Sequence, residues 1–209
     1  MLFRYQFSSR VLAGLLLFVC IGPISLSQSI SKDDLQLIFE EDFESGAEHW
    51  DPLNPSLWRI TEEGTNPVYE LIAESEAPQT GNTEYIPPHR SPFYISILDE
   101  VIVGSFVLQV EAKYTGPIYY HQDLSFFFGW QDPAHFYYAH LCATAGDNAN
   151  TILIVNEADR RGIAQKQSES TEWIEGRYHT VQIVRDVESG VIEVYFDNPT
   201  TPVITAEDR

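Results

Sequence analysis

The chain has 209 residues, of which 44% are hydrophobic and 21% charged, which is typical of a globular protein with one domain. Lys and Arg number 12 against 31 Asp and Glu, so the formal net charge is −19. This balance excludes nucleic acid and anionic membranes as expected partners, because phosphate binding needs clustered basic side chains. Neutral or cationic ligands and metal ions stay open.

The N-terminus has the order of a secretory signal. Two arginines precede an apolar run at residues 11–21, and two small residues, Ser25 and Ser27, follow it. We therefore predict a signal peptide over residues 1–27, cleaved near Gln28, and a secreted, periplasmic or cell-envelope protein with no membrane insertion after cleavage. A retained N-terminal anchor is the alternative, but the apolar run is short for a membrane span.

Residues 28–209 are predicted to form a single all-β domain. One cysteine, Cys142, is left after the predicted cleavage, so we expect a buried thiol and a fold that rests on its hydrophobic core. Alternation and β-branched or aromatic enrichment predict strands, and Glu188, Ser189 and Gly190 predict a tight hairpin. Strand number and spacing indicate a two-sheet sandwich or a barrel. The predicted strands are residues 37–43, 58–61, 68–73, 93–98, 104–114, 123–130, 136–142, 151–155, 178–185 and 191–197.

The pleat of a strand sorts its side chains between two faces. Apolar alternation predicts that residues 106–112 and 124–130 bury one face each, with Trp130 in the core, and that Tyr138 is exposed. If the strands at 104–114, 123–130 and 136–142 are neighbours, they share one polar face. That face would carry Gln109, Glu111, His121, Asp123, Tyr138 and His140.

The candidate chemistry centres on His121 and Asp123, with Glu111 and His140 expected beside them. An Asp beside a His fixes the tautomer of the ring and raises its basicity, which suits a general base or a metal ligand. A pair of carboxylates about 5 Å apart suits retaining glycoside hydrolysis. The alternative interpretation is a solvated sheet face whose polar side chains bond to their cross-strand neighbours.

Aromatic and cationic side chains extend this candidate site. Exposed aromatic rings stack on the apolar faces of sugars, and we expect Tyr138 and either Tyr119 or Tyr120 to do so. Arg90 is a forked donor for sugar hydroxyls or carboxylates, with a loop-anchoring salt bridge as the alternative. Calcium stays open as a cofactor because the chain is rich in acids, although no EF-hand spacing occurs.

Several segments together resemble concanavalin A-like and laminin-G-type jelly rolls: residues 39–45 (FEEDFES), 58–60 (WRI), 178–181 (YHTV) and 191–197 (VIEVYFD). Residues 88–92 (PHRSP) and 121–140 (HQDLSFFFGWQDPAHFYYAH) are similar to secreted bacterial domains of the 3-keto-disaccharide hydrolase type. The resemblance covers roughly residues 37–205. It implies a two-sheet antiparallel jelly-roll sandwich with carbohydrate recognition on its concave face. Such domains continue with further strands, so we expect this one to be C-terminally incomplete.

One short motif resembles the catalytic strand of laminarinase-type glucanases. Glu40, Asp42 and Glu44 have the E-x-D-x-E spacing, and period 2 would place the three carboxylates on one strand face. The alternative is an N-terminal edge strand with solvated acids.

These observations predict an exported jelly-roll domain that binds carbohydrate or a glycoside on its concave sheet. If it hydrolyses the glycoside, we expect Asp123 or Glu111 to be the acid/base, with His121 as partner. The alternative is a non-catalytic cell-envelope interaction module with a protein or polymer partner. A domain cut from a larger enzyme is the third hypothesis. Nucleotide, zinc-protease and serine-hydrolase functions lack their motifs.

Overall fold

The computed structural model describes residues 3–8, 16–20, 35–73, 85–98, 101–116 and 123–209. These residues form β-strands joined by turns and loops, with one turn of 3-10 helix at Pro55–Leu57. Nowhere in these ranges is there a helix long and apolar enough to cross a membrane. The strands are β1 Phe3–Ser8, β2 Leu16–Cys20, β3 Leu35–Phe39, β4 Trp50–Pro52, β5 Trp58–Glu63, β6 Asn66–Ala73, β7 Ser96–Leu98, β8 Phe106–Tyr114, β9 Asp123–Asp132, β10 His135–Cys142, β11 Thr151–Asn156, β12 Arg161–Gly162, β13 Ala164–Gln167, β14 Tyr178–Arg185, β15 Val191–Phe196 and β16 Ile204–Glu207.

The strands form antiparallel sheets. The large sheet has ten strands, and its main path runs β13-β16-β15-β14-β8-β1-β6-β5, with β2 paired to β8 and β3 paired to β2. The small sheet has the order β12-β11-β10-β9, and β4 pairs with β7. The predicted all-β class is therefore confirmed.

Each of the ten strands predicted from the alternation has a counterpart in the structure. The structure adds β4, β12, β13 and β16, which are two to four residues long and too short to show a period. Residues 3–8 and 16–20, predicted to belong to a signal peptide, form β1 and β2 along one edge of β8. The predicted hairpin joins β14 to β15.

The core lies between the large and small sheets, which gives the molecule the character of a β-sandwich. Each sheet contributes the apolar residues of one face, as the alternation predicted for β8 and β9. Trp173 closes one end, donating its indole N–H to the carbonyl oxygen of Leu141 at 3.1 Å. The buried residues are Phe106, Leu108, Val110, Ala112 and Tyr114 of β8; Leu124, Phe126 and Phe128 of β9; Ala139 and Leu141 of β10; Ile152 of β11; Trp173; Val181 and Ile183 of β14; Ile192 and Val194 of β15; and Ile204 and Ala206 of β16.

Trp130 does not join this core, so its predicted position is wrong. It packs half-buried on the other face of the small sheet, stacked on Phe136 with ring centroids 4.8 Å apart. The alternation of β9 breaks just before it, at Gly129, which has a φ of 58°. A Cβ at Gly129 would lie 3.2 Å from the Tyr137 ring, so this irregularity in the strand needs glycine.

The expected polar face shared by three strands is also wrong. β8 belongs to the large sheet and pairs with β14, whereas β9 and β10 pair with each other in the small sheet. The outward residues of β8, Gln109 and Glu111, therefore lie on the opposite side of the sandwich from Asp123 and His140. Sheets packed face to face are about 10 Å apart, and outward side chains extend beyond that separation.

Candidate functional site

The register of β9 and β10 brings three side chains of different chemistry together. Asp123 lies directly opposite Cys142 in the antiparallel ladder, and His140 lies opposite Ser125. Because side chains alternate along a strand, His140 and Cys142 share one face of β10, and Asp123 shares it from β9. The Nε2 atom of His140 is 2.9 Å from Oδ2 of Asp123. The expectation that His140 lies beside Asp123 is confirmed.

The roles of the two ring nitrogens of His140 follow from their neighbours. Nδ1 is 2.8 Å from the carbonyl oxygen of Asn148. A carbonyl oxygen only accepts hydrogen bonds, so Nδ1 carries a proton and donates it. Nε2 faces the Asp123 carboxylate, which also accepts hydrogen bonds, so the 2.9 Å contact between them holds a proton that a bound cation would replace. The ring cannot turn away without losing its bond to the loop.

The loop between β10 and β11 is held in place by Asn150. This residue is fully buried and has a left-handed φ of 50°. Its amide nitrogen donates to the carbonyl oxygen of Ser168 at 2.9 Å, and its side-chain oxygen accepts from the Thr171 hydroxyl at 2.6 Å. The backbone N–H of Cys142 donates to the same oxygen at 3.4 Å. Asn150 thus fixes the loop that presents the Asn148 carbonyl to His140.

The cluster is closed on one side and open on the other. The Cys142 residue is 1% exposed. The side chain of His140 is 10% exposed and that of Asp123 is 33% exposed. Burial raises the pKa of the Cys142 thiol, and the Asp123 charge raises it further. Solvent and ligands reach the group through Asp123.

Asp123, His140 and Cys142 form a group that could hold a metal ion. Each offers one ligand atom, and these atoms lie within 4.8 Å of one another. The sequence prediction counted Asp123 and His140 but treated Cys142 only as a buried hydrophobe. The missed signal was the spacing of His140 and Cys142 on one strand face, which gains meaning only with the β9–β10 register.

Next to this cluster lies an aromatic layer on the outer face of the small sheet. Its four buried residues are Phe136, Tyr138, Leu153 and Val155. The half-buried Phe127 and Trp130 pack against them. Tyr138 is 0% exposed, so its predicted role as an exposed stacking surface is wrong. Burial raises its pKa to about 12. Phe127 covers it, with ring centroids 5.4 Å apart.

Two arginines border the aromatic layer. Arg160 Nη1 donates to the Tyr138 hydroxyl at 3.4 Å, and its backbone N–H donates to the carbonyl oxygen of Arg90 at 3.0 Å. The backbone N–H of Arg90 donates to a carboxylate oxygen of Asp159 at 2.9 Å. These bonds tie the loop at 85–95 to the turn after β11. Arg90 is therefore near Tyr138 as well as anchored by its backbone.

Glu111 lies on the large sheet, opposite Thr180 in the ladder between β8 and β14. The hydroxyl of Thr180 donates to its carboxylate. Burial raises the pKa of Glu111, while the Thr180 bond opposes the shift. The structure does not bring Glu111 or Gln109 to Asp123.

His121, Tyr119 and Tyr120 fall outside the described residues, so the structure does not test their predicted roles. The E-x-D-x-E motif is described and does not form a strand, because β3 ends at Phe39. Asp42 instead accepts the backbone N–H of Glu44 at 3.0 Å in a turn. The single strand face predicted for its three carboxylates is therefore wrong.

Comparison with known proteins adds no relative to this picture. No family model, no curated protein and no solved structure matches the chain.

Proposed function

We propose that this protein is an exported carbohydrate-binding domain of jelly-roll topology, with the Asp123–His140 pair as the polar centre of its site. The observation that carries the proposal is this pair, 2.9 Å apart and open to solvent on the Asp123 side, beside an aromatic layer. Carbohydrate recognition uses such a combination, because hydroxyl groups need placed donors and acceptors while sugar rings need apolar contact.

The proposed site offers a hydrogen-bond acceptor and a hydrogen-bond donor for sugar hydroxyls. The Asp123 carboxylate accepts hydrogen bonds, and the Arg160 guanidinium donates them. Within the part of the chain that the structure describes, the buried Nε of Arg160 has no hydrogen-bond partner. The net charge of −19 favours a neutral sugar over an anionic one.

The apolar contact is assigned to Phe127 and Trp130 rather than to Tyr138. Both are half-buried, and both rest on the aromatic layer, Trp130 against Phe136 and Phe127 against Tyr138. A ring supported from below is pre-organised, so stacking on it costs little conformational entropy.

The structure favours carbohydrate binding over a hydrolysis reaction in which Asp123 and Glu111 act as the catalytic pair. Retaining glycosidases need two carboxyl groups about 5 Å apart, and inverting ones need them about 6.5–9.5 Å apart. Asp123 and Glu111 lie on opposite sides of the sandwich, so neither geometry is available to them. Acid–base chemistry at this site would fall to Asp123 and His140.

Calcium suits this site poorly as a cofactor. Calcium takes six to eight oxygen ligands, whereas the other two candidate ligand atoms beside the Asp123 carboxylate are a ring nitrogen and a sulfur. Calcium is kept as one arm of the experiment because the chain is rich in acids.

A second candidate function is a non-catalytic interaction module of the cell envelope with a protein partner. Exposed apolar side chains at one end of the sandwich favour it, since Ile102 is 98% exposed and Val187 is 48% exposed. The two segments are in contact there, because the backbone N–H of Val187 donates to the Ser105 hydroxyl at 3.1 Å. A partner at this end would leave the Asp123–His140 pair untouched.

A thermal-shift screen tests the carbohydrate proposal. The panel contains neutral oligosaccharides and keto-glycosides, each with and without calcium. A ligand at 100 times its Kd stabilises the folded state by about 2.7 kcal/mol, which a melting curve resolves easily. We expect at least one sugar to raise the Tm of the wild-type chain.

Variants locate the site. Asp123→Asn and His140→Gln are expected to lose the sugar-dependent rise in Tm, while Glu62→Gln, which removes an exposed carboxylate on β5, keeps it. The proposal fails if no sugar shifts a cooperative melt, or if both site variants fold and keep the full shift.

A further inference from the structure

We propose that Asp123, His140 and Cys142 bind one divalent transition-metal ion of the zinc class, with one coordination position left open. This proposal shares Asp123 and His140 with the proposed function but needs no carbohydrate. It adds a residue, Cys142, and a chemical class of ligand that the binding site by itself does not imply.

The donor set points to this class of metal. A carboxylate oxygen, an imidazole nitrogen and a thiolate sulfur are the ligand types that zinc accepts together, whereas calcium and magnesium take oxygen. The three residues supply one of each. Cys142 is 1% exposed, so this group of side chains differs from the polar residues of a solvated sheet face.

The separations are close to those that a tetrahedral ion imposes. Bonds of 2.0–2.3 Å at tetrahedral angles place ligand atoms about 3.3–3.7 Å apart. The three ligand atoms here lie within 4.8 Å of one another, and the nitrogen and oxygen are 2.9 Å apart. Loading the site requires the widest pair of ligand atoms to close by at most about 1.5 Å.

An outer contact already orients the histidine for this role. Metal-binding histidines donate their other ring N–H to a carbonyl or carboxylate, which directs the unprotonated nitrogen to the metal. His140 donates from Nδ1 to the Asn148 carbonyl at 2.8 Å, so Nε2 points at Asp123. Asn150 holds the loop that carries this carbonyl through its bonds to Ser168 and Thr171.

The backbone also holds the ligands at fixed positions. Asp123 and Cys142 are paired across the ladder, and His140 is two residues before Cys142 on the same strand. Sites built on strands are held more precisely than sites on loops. Three protein ligands with access through the half-buried Asp123 leave the fourth position for water or a ligand hydroxyl, as in open zinc sites.

Cobalt titration of the full-length chain tests the proposal, because Co²⁺ replaces zinc and reports its ligands. After chelator treatment, we expect one equivalent of Co²⁺ to give the visible bands of a tetrahedral ion and a sulfur-to-cobalt charge-transfer band. Cys142→Ser should abolish the charge-transfer band. Cys20→Ser, which removes the chain's other cysteine, should keep it at full intensity.

Two measurements cover the case in which Cys142→Ser does not fold. Asp123→Asn changes a partly exposed side chain and should weaken cobalt affinity tenfold or more. In the unmutated chain, native mass spectrometry should show one bound Zn²⁺ at one equivalent, and Asp123→Asn should lose it.

The proposal is overturned if chelator-treated protein gives no charge-transfer band. It is equally overturned if the band survives Cys142→Ser or disappears with Cys20→Ser, or if native mass spectrometry shows no bound Zn²⁺. Repeating the sugar screen on metal-free and zinc-loaded protein separates the two proposals. A sugar-dependent Tm shift without a cobalt band refutes only the metal proposal. A cobalt band without any sugar-dependent Tm shift refutes only the carbohydrate proposal.

Discussion

His179 shows how a buried polar side chain is accommodated in this sandwich. It is 1% exposed and stacks on Phe196 with ring centroids 4.7 Å apart. Nδ1 lies 2.8 Å from a carboxylate oxygen of Asp197, and Nε2 accepts the backbone N–H of Ile174 at 3.1 Å. Because Nε2 accepts, Nδ1 is the donor, so a single neutral tautomer satisfies both bonds.

Replacing this ring should therefore be costly. His179→Ala removes two hydrogen bonds and leaves a cavity beside Phe196, so we expect the free energy of unfolding to fall by about 3 kcal/mol. Urea denaturation followed by tryptophan fluorescence measures it. Arg177→Ala removes an exposed partner of the same Asp197 carboxylate and should cost less than about 0.5 kcal/mol. Equal losses for the two variants would contradict this account.

Glu111 gives a second test at the scale of one residue. Burial raises its pKa above the usual 4.5, so the folded state holds a proton more tightly than the unfolded state does. Stability therefore falls as pH rises from about 4.5 through the raised folded-state value. Glu111→Gln removes this dependence while keeping an acceptor for Thr180. We expect its Tm at pH 7 to equal or exceed that of the wild type, measured by melting curves from pH 4 to 8.

A lower Tm for Glu111→Gln at pH 7 would mean that the carboxylate itself stabilises the fold. Sugar binding in the same variant is an independent readout. It should be unchanged, because Glu111 lies on the opposite side of the sandwich from Asp123.

At the scale of elements, the hairpin between β14 and β15 is closed by one aspartate. Asp186 accepts the backbone N–H of Glu188 at 3.0 Å and the Ser189 hydroxyl at 2.6 Å. The backbone N–H of Gly190, at a φ of 83°, donates to the Asp186 carbonyl oxygen at 2.9 Å. A Cβ at Gly190 would lie 2.7 Å from a backbone oxygen of Asp208, so glycine is required there.

The hairpin predicts a pH dependence of stability. The Ser189 hydrogen bond lowers the pKa of Asp186 below its usual 3.8. A lowered carboxyl pKa contributes stability above the unfolded-state value, and that contribution is lost as pH falls through the folded-state value. Asp186→Asn should cost about 1 kcal/mol at pH 7, the net worth of a hydrogen bond. The difference from wild type should shrink from about pH 5 downwards, and a constant difference would contradict the assignment.

The strand elements illustrate how far a sequence pattern reaches. Alternation of apolar residues predicted the strands β8, β9 and β10, and for β8 and β9 the face that each buries, because period 2 is a local property of the chain. It failed at Trp130, where Gly129 breaks the strand geometry. It also failed to reveal β12, whose two residues are too few to show a period.

At the scale of the whole molecule, the charge of −19 is the dominant electrostatic feature. Like charges on a compact surface repel one another, and salt screens them with a Debye length of about 10 Å at 0.1 M. We therefore expect the Tm to rise as NaCl is increased from about 10 mM to 150 mM. Sucrose at matched osmolality is the control for non-ionic effects, and a Tm that falls with NaCl would contradict this prediction.

The N-terminal residues make a further prediction for the whole chain. The large and small sheets bury a core of side chains from residues 39–206 between them. A chain of residues 28–209 should keep a cooperative melt. It would also leave unpaired the edge of β8 that β1 and β2 occupy and the edge of β6 that pairs with β1, which promotes association between copies.

Intact-mass spectrometry of exported protein should place its N-terminus near Gln28. Size-exclusion chromatography of the shortened chain then measures association. A shortened chain that fails to fold would contradict the account.

The sequence by itself determined the all-β character, the acidic surface charge and the outward face that Asp123 and His140 share, since composition and alternation are local properties. Only the tertiary structure decided which strands are neighbours. Pairing joins residues far apart in the chain, and a register contact between β9 and β10 cannot be derived from either strand alone. That register placed Cys142 opposite Asp123, while the assignment of β8 to the large sheet separated Glu111 from them.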